Sequence, residues 1–323
     1  MGVKEEVLRT LQENQADYIS GQGLADRLCV SRHAVWKAID KLRAEGFDIE
    51  ARTNRGYRLI GACDVLSAEA VAACLDKSAG FALEYTEEID STNNRARALA
   101  EAGCDEWTVV LAESQTAGRG RLGRQFYSPK GGGIYMSVVV RPDCEVQYAN
   151  MLTLAAAAAV VEAIEAVCSI KAQIKWVNDI FVNMRKVCGI LTEASVGLEE
   201  QRLRYAVVGI GINVAPPPGG FPEELAEIAT SIYDTPRLES VRAPLVAEIL
   251  RRFRAYAEQL IDRRFMPSYR EHLMVIGRRV SLVRGTEREA VLVIGLNDDG
   301  ALIVEDAAGN RREINSGEVS IRF

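Results

Sequence analysis

Residues 150–167 constrain the fold most, reading Asn-Met-Leu-Thr-Leu, five alanines, then Val-Val-Glu-Ala-Ile-Glu-Ala-Val. Such a stretch is a helix apolar on nearly all sides, and it has to lie at the centre of its domain. Its most apolar part, 151–161, is too short to span a bilayer. No apolar signal segment opens the chain. A water-soluble, cytoplasmic protein without a membrane partner is therefore expected.

The 323 residues predict two or three domains. The net charge of −6 argues against a generic nucleic-acid binder. It is uneven, however: residues 1–60 hold ten Lys/Arg against nine Asp/Glu. Seven scattered cysteines without a C-x-x-C pair suit reduced thiols and give no metal spacing. Having only His33 and His272 argues against a histidine metal site or a Ser-His-Asp triad.

Val3, Val7, Leu8 and Leu11 fall at helical spacing, Ser20 opens a short helix, and Ser31 caps a third whose inner stripe is Val35, Ile39 and Leu42. Gly46 is a natural stop. A hairpin follows, with Ile49 and Ala51 facing inward and Asn54-Arg55-Gly56 at its turn. This is the pattern of a winged helix-turn-helix. Helix 31–45 would read the major groove through Ser31, Arg32, His33 and Lys37, with Arg43 on the same face, while Arg52, Arg55 and Arg58 hold flanking phosphates. Trp36 is expected to pack inward rather than to read bases. One such domain binds weakly, so a homodimer is expected.

After a hinge at 61–64, Ser67 starts a helix and 81–89 reads as a strand ending in Asp90-Ser91-Thr92-Asn93. The last three are a plausible N-cap; they can equally bond a neutral polar head group. Strands 107–112 and 134–140 then bracket Gly118-Arg119-Gly120-Arg121-Leu122-Gly123-Arg124, without an acidic residue. Glycine permits close approach and arginine offers a fork of donors, so this anchored loop should close on an anion. It matches G-x-G-x-x-G in letters only, because a β-branched strand and not a helix follows it. No Gly-Lys-Ser/Thr makes it a phosphate-binding P-loop either.

Further on, Lys175-Trp176-Val177-Asn178-Asp179 lies between two strands, and a turn at Met184-Arg185 returns as a strand opened by Lys186. That lysine is either edge protection or a charge aimed into a site. Strand 205–214 carries Gly209 and Gly211 on one face and ends in Asn213; glycine weakens a strand unless something approaches its backbone closely. Residues 215–220, rich in proline, look like a mobile cover. A long helix over about 240–264 closes the domain, and short strands from Val275 onward suggest a small β-barrel.

Together, Gly118-Arg119-Gly120-Arg121-x-Gly123-Arg124, Lys175-Trp176-x-Asn178-Asp179, Lys186 with Gly189-Ile190-Leu191, and Gly209-x-Gly211-x-Asn213 resemble one family. It is that of the bifunctional biotin–protein ligases that also repress the biotin operon. Val177 replaces the family's usual proline, and Phe126 stands where tryptophan is frequent.

The resemblance implies an α+β multidomain chain: a winged helix at 1–62, a ligase domain at 63–270 with a class II synthetase-like mixed sheet, and an SH3-like barrel at 271–323. It implies that ATP converts biotin to biotinoyl-5′-AMP, which then passes to a lysine of the biotin carboxyl carrier protein of acetyl-CoA carboxylase. Biotin would meet Ser91, Thr92, Asn93, Gln115, Gly118, Arg119, Gly120, Arg121, Lys186, Gly189 and Gly209. The nucleotide would meet Arg119, Arg121, Arg124, Phe126, Lys175, Asn178, Asp179, Lys186, Gly211 and Asn213. Arg121, Lys186 and Asp179 would carry the chemistry, and Mg2+ would arrive with ATP rather than in a protein-built site. With adenylate bound, the homodimer would bind operator DNA. A sensor that no longer ligates, or a lipoate ligase on the same core, is the alternative.

Overall fold

Three serines start three helices by the same device. The Ser20 hydroxyl accepts from the Gly23 amide at 2.9 Å, Ser31 from Ala34 at 3.1 Å and Ser67 from Ala70 at 3.1 Å. Each satisfies one amide that the first helical turn leaves without a partner. The computed structural model describes all residues except 1–2, 15–16, 45–46, 48, 60–63, 77, 198–200, 236–238, 285–286, 316 and 321–323. The stop expected at Gly46 and most of the hinge at 61–64 lie outside the described residues.

Helices α1 (Val3–Glu13), α2 (Gly21–Arg27) and α3 (Arg32–Ala44) precede an antiparallel hairpin of β1 (Ile49–Arg52) and β2 (Gly56–Leu59). Val7, Leu11, Leu24, Val35, Ile39, Leu42, Ile49 and Leu59 form a core of their own. Ala51 is exposed, contrary to the inward alternation expected: the hairpin enters this core at one rung, Ile49 paired with Leu59. Trp36 is also outside this core, with 51% of its surface exposed.

Next come α4 (Ala68–Cys74), β3 (Ala82–Ile89), α5 (Thr92–Glu101), β4 (Thr108–Gln115), β5 (Gly133–Val140) and α6 (Ala149–Cys168). Strands β6 (Gln173–Lys175), β7 (Asp179–Val182), β8 (Arg185–Gly197) and β9 (Arg202–Asn213) complete a seven-stranded sheet in the order β3-β4-β5-β9-β8-β7-β6. Only the β3–β4 pair is parallel, so the sheet is mixed.

Both faces of the sheet are covered. Val109, Leu111, Val138 and Val208 join the core containing α6, whereas Val110, Val139 and Val207 pack under Ala96 and Ala100 of α5. That is why the central strands read as unbroken apolar runs. Among the described residues, 146–168 is the one helical stretch long and apolar enough to cross a membrane, and 72% of its apolar window is buried inside the protein.

The proline-rich segment is irregular as expected and leads to a short helix, α7 (Glu223–Ala226). Helix α8 (Arg242–Ala257) stops well before 264. Beyond it, Asp262 bonds to Gln259 and Arg263 to Leu260, three residues back rather than four. These tighter turns carry Leu260 and Phe265 inward to 4% and 0% exposure. Helix α9 (Met266–Glu271) then leads to β10 (Arg279–Arg284), β11 (Glu287–Leu296), β12 (Leu302–Glu305), β13 (Arg311–Ile314) and β14 (Glu318–Ser320). These strands form an antiparallel five-stranded sheet, ordered β13-β12-β11-β10-β14.

Candidate active site

The register of the central sheet builds the floor of a cavity of about 630 Å3. Ser137 of β5 pairs with Gly209 of β9, which pairs with Leu191 of β8; one rung along, Tyr135, Gly211 and Gly189 align in the same way. Each glycine has a specific neighbour. A Cβ on Gly209 would lie 2.0 Å from Asn93 Oδ1, and one on Gly211 would lie 2.6 Å from the Phe126 ring. The same ring sits 3.3 Å from the position of a Cβ on Gly189. The glycines therefore let an amide settle on one rung and an aromatic plate on the next.

At the Gly209 end, Ser137 Oγ lies 2.8 Å from Thr92 Oγ1 and 2.6 Å from Asn93 Oδ1. Asn93 Nδ2 donates to Glu193 Oε2 at 2.9 Å. Ser91 occupies the N-cap position of α5 but makes no capping bond. The Thr92 amide instead donates to Gln115 Oε1 at 2.9 Å, and Gln115 Nε2 donates to Ser128 Oγ at 2.8 Å. The side chains of 91–93 are thus not used as the helix cap the sequence suggested. They are 1%, 4% and 4% exposed and line the cavity.

The Arg/Gly loop closes by its own backbone. Gly120 N donates to Arg124 O at 2.8 Å and Phe126 N to Gly118 O at 2.9 Å, around a turn at Arg121–Gly123. Gly118 does not line the cavity. A Cβ there would meet Phe126 O at 2.5 Å and Ser128 Oγ at 2.6 Å, so the loop's own closure requires a glycine here.

Arg119 Nη1 lies 3.0 Å from Glu193 and donates to Asn94 Oδ1 at 3.1 Å, and Arg121 Nη1 donates to Asn178 Oδ1 at 2.8 Å. Lys186 Nζ reaches Asp179 Oδ1 at 2.7 Å. Strand β8 lies inside the sheet, so the edge-protection reading of Lys186 fails. Its backbone is held on the other side by Ile228 O at 2.9 Å and the Thr230 amide at 2.8 Å. The turn before it falls at Asn183 and Met184, with φ of 48° and 64°, one residue earlier than expected.

Gly120, Arg124, Lys175 and Asn213 also line the cavity. Asn213 donates to Thr230 O at 3.1 Å. The proline run itself does not reach the cavity; Phe221, Leu225 and Ile228 beyond it do. Ser137 and Glu193 escaped the sequence reading. A lone serine in an otherwise apolar strand was the available signal for the first. No cluster of three or more potential metal ligands occurs among the described residues.

A buried ion pair fixes the base of the loop. Arg242 Nη1 donates to both Glu113 oxygens at 3.0 and 2.9 Å and to Gly133 O at 3.1 Å, while Glu113 accepts from the Gly131 amide at 3.0 Å. Asp64, just after the winged helix in sequence, accepts from the Val241 and Arg242 amides at 2.8 Å each. Burial pushes its carboxyl above the ordinary range against the opposing pull of Arg242.

In the N-terminal unit, Arg32, His33 and Lys37 are exposed along α3, and Ser31 is engaged as its cap. Arg43, eleven residues on from Arg32, is exposed on the same side of the helix, but its guanidinium is engaged: it donates to Ile49 O at 3.0 and 2.6 Å and holds the hairpin. Arg52 pairs with Glu50 at 2.8 Å, and Arg58 does so at 3.1 Å, both guanidiniums lying over the Tyr18 ring. The Tyr18 hydroxyl, then Arg52, hold the Glu50 carboxyl down at about 2. Arg55, at the turn, is exposed.

A bifunctional ligase/repressor of Bacillus spizizenii is 38% identical over 325 aligned residues, covering 99% of this chain and 98% of its own. This chain belongs to the biotin protein ligase family. The Escherichia coli bifunctional ligase/repressor is 29% identical and covers 95% of the chain. The biotin/lipoate A/B protein ligase family model matches residues 85–213, a helix-turn-helix model residues 3–58, and the biotin protein ligase C-terminal model residues 275–322. The biotin protein ligase of Aquifex aeolicus, in complex with biotin and ATP, superimposes with a TM-score of 0.62 at 30% identity. That match covers 75% of this chain and 98% of the other. The chain is thus a ligase of this family with an N-terminal helix-turn-helix, in the bifunctional form of its full-length relatives.

Proposed function

We propose that the cavity binds biotin at its Asn93–Ser137 end and ATP over Phe126, and that the chain transfers biotin to a lysine of a biotin carboxyl carrier protein. The observation that carries this is a cavity lined by Arg119, Arg121 and Lys186, with Lys186 beside the Phe126 ring and a hydrogen-bonded cluster of Thr92, Asn93 and Ser137 one glycine rung away. The biotin carboxylate attacks the α-phosphate of ATP, pyrophosphate leaves, and the carrier lysine amine then displaces AMP from the mixed anhydride. Charge builds on the phosphoryl oxygens as this proceeds. Fixed cations nearby stabilise it without reorganising. Arg121 and Lys186, held by the adjacent Asn178 and Asp179, would do so, and Asp179 would orient the incoming amine.

Mg2+ would enter bound to ATP, with Asp179 and Glu227 as the carboxylates lining the cavity, which suits a cation that keeps mostly phosphate and water ligands. Its contribution is to neutralise the triphosphate. With the adenylate held, a homodimer presents two winged helices to operator DNA, and carrier protein competes with that dimer. The five C-terminal strands are read as an SH3-like barrel, and the units as 1–62, 63–270 and 271–323. The reading places the protein in the cytoplasm.

The test is biotin-dependent ATP–pyrophosphate exchange, with lipoate as control acid. Exchange with biotin alone is expected. Silence with biotin overturns the ligase assignment and leaves a sensor.

A further inference from the structure

We propose that Trp36 is a base-reading residue of the winged helix, its indole lying against thymine methyl groups in the major groove. The inference rests on the repressor reading above and adds to it a residue and a base preference.

The inner stripe of α3 is Val35, Ala38, Ile39 and Leu42, all buried. One residue on from Val35 is about 100° round the helix, which carries Trp36 out of the core. It arrives beside Arg32 and His33, its neighbours four and three positions back, and next to Lys37. The imidazole of His33 stacks on the indole, with centroids 5.9 Å apart and planes 21° from parallel. That contact steadies the ring on the surface while leaving 51% of the residue exposed.

A large aromatic held open beside Arg32 and His33, with Lys37 adjacent and Asp40 one turn on as the one acidic neighbour, is expensive in water and marks a surface made to be covered. The flanking charges decide what covers it. A second copy of this face would bring Arg32 and Lys37 against their own counterparts. A polyanion would not, and Arg55 on the wing adds a further cation. Duplex DNA is the occupant that this charge pattern fits. In the major groove an indole offers an apolar face and one donor, and cannot accept from cytosine or adenine amino groups. The edge that suits an apolar face is the C5-methyl of thymine.

The experiment uses the full chain with biotin and ATP. An operator is first selected from a randomised duplex pool. Of the three tryptophans, Trp107 and Trp176 are 5% and 4% exposed, so iodide quenching of fluorescence reports on Trp36. Operator binding is expected to suppress that quenching. Deoxyuridine is then placed at each half-site thymine in turn. Wild type should lose about fourfold in affinity at one or two positions, the value of one methyl-sized group. Trp36→Ala should bind thymine and uracil duplexes equally, and Trp36→Phe should keep part of the difference. Unchanged quenching on operator, or the same thymine-to-uracil ratio in wild type and Trp36→Ala, overturns the proposal. If no duplex is enriched, the repressor reading itself falls, and this proposal with it.

Discussion

Replacing Gly209 with alanine should damage biotin use and spare ATP use. The new Cβ would sit 2.0 Å from Asn93 Oδ1 and 2.9 Å from its Cγ. The amide would have to retreat by about 1 Å to reach ordinary contact. Retreat breaks the 2.6 Å contact with Ser137 and disturbs the 2.9 Å bond to Glu193. Ser137 is fully buried, so its hydroxyl would be left with Thr92 as its remaining partner of the two. Losing one such bond in a buried site costs about 1–3 kcal/mol, or roughly five- to 150-fold in an equilibrium constant. The biotin KM in the exchange assay should therefore rise by about that factor, with the ATP KM changed less than about threefold. Gly211→Ala is the matched control, because its Cβ would strike the Phe126 ring at 2.6 Å. That variant should show the reverse split. Equal effects of the two substitutions on both substrates would refute the assignment of the two glycine rungs to different ligand ends.

Four other outcomes are expected. Arg121→Gly removes a charged donor now held by Asn178, and should release adenylate at least about tenfold faster in a gel-filtration retention assay. Lys186→Met should lower single-turnover adenylation by about 10²–10³, whereas an effect on biotin KM alone would remove it from the chemistry. Arg242→Met leaves Glu113 and Asp64 buried without their cation; breaking such a pair costs about 3–5 kcal/mol, and a shift of Tm by less than about 3 °C would argue against its anchoring role. For Glu50, the folded carboxyl is lowered from 4.5 to about 2, first by Tyr18 and then by Arg52. Its stabilisation is therefore complete above 4.5 and lost as pH falls through about 2. Carboxyl NMR should find that midpoint, and Tyr18→Phe should move it upward.

What could be read from the sequence was local. The serine caps, the inner stripe of α3 and the central helix each depend on residues within a few positions of one another, and they form as the periodicity implies. Misreadings came where a neighbour in space outweighed a neighbour in sequence. Trp36 adjoins Val35 and looks like core, yet helical geometry turns it outward. Arg43 looks like part of a basic face, yet the Ile49 carbonyl claims it. The stop of α8 follows from the need to bury Leu260 and Phe265 together, which helical phase alone does not reveal.

The site was half legible for a physical reason. Cations, glycines and polar residues in apolar strands are anomalies, and an anomaly can be seen without its partner. Gly209 and Gly211 announced that something approaches the strand, but the approaching groups, Asn93 and Phe126, are 116 and 85 residues away in the chain. Gly118 shows the limit of the method. The close approach it permits was read correctly, but the atoms that exclude a side chain there belong to the loop itself, which the motif does not reveal. The same holds for the cationic groups: Arg119, Arg121 and Lys186 are held by Glu193, Asn178 and Asp179. A ligand anion must compete with these acceptors, two of which are charged. Any affinity of the loop for a phosphate would consequently be a difference between two sets of bonds, and only one set was visible as a motif.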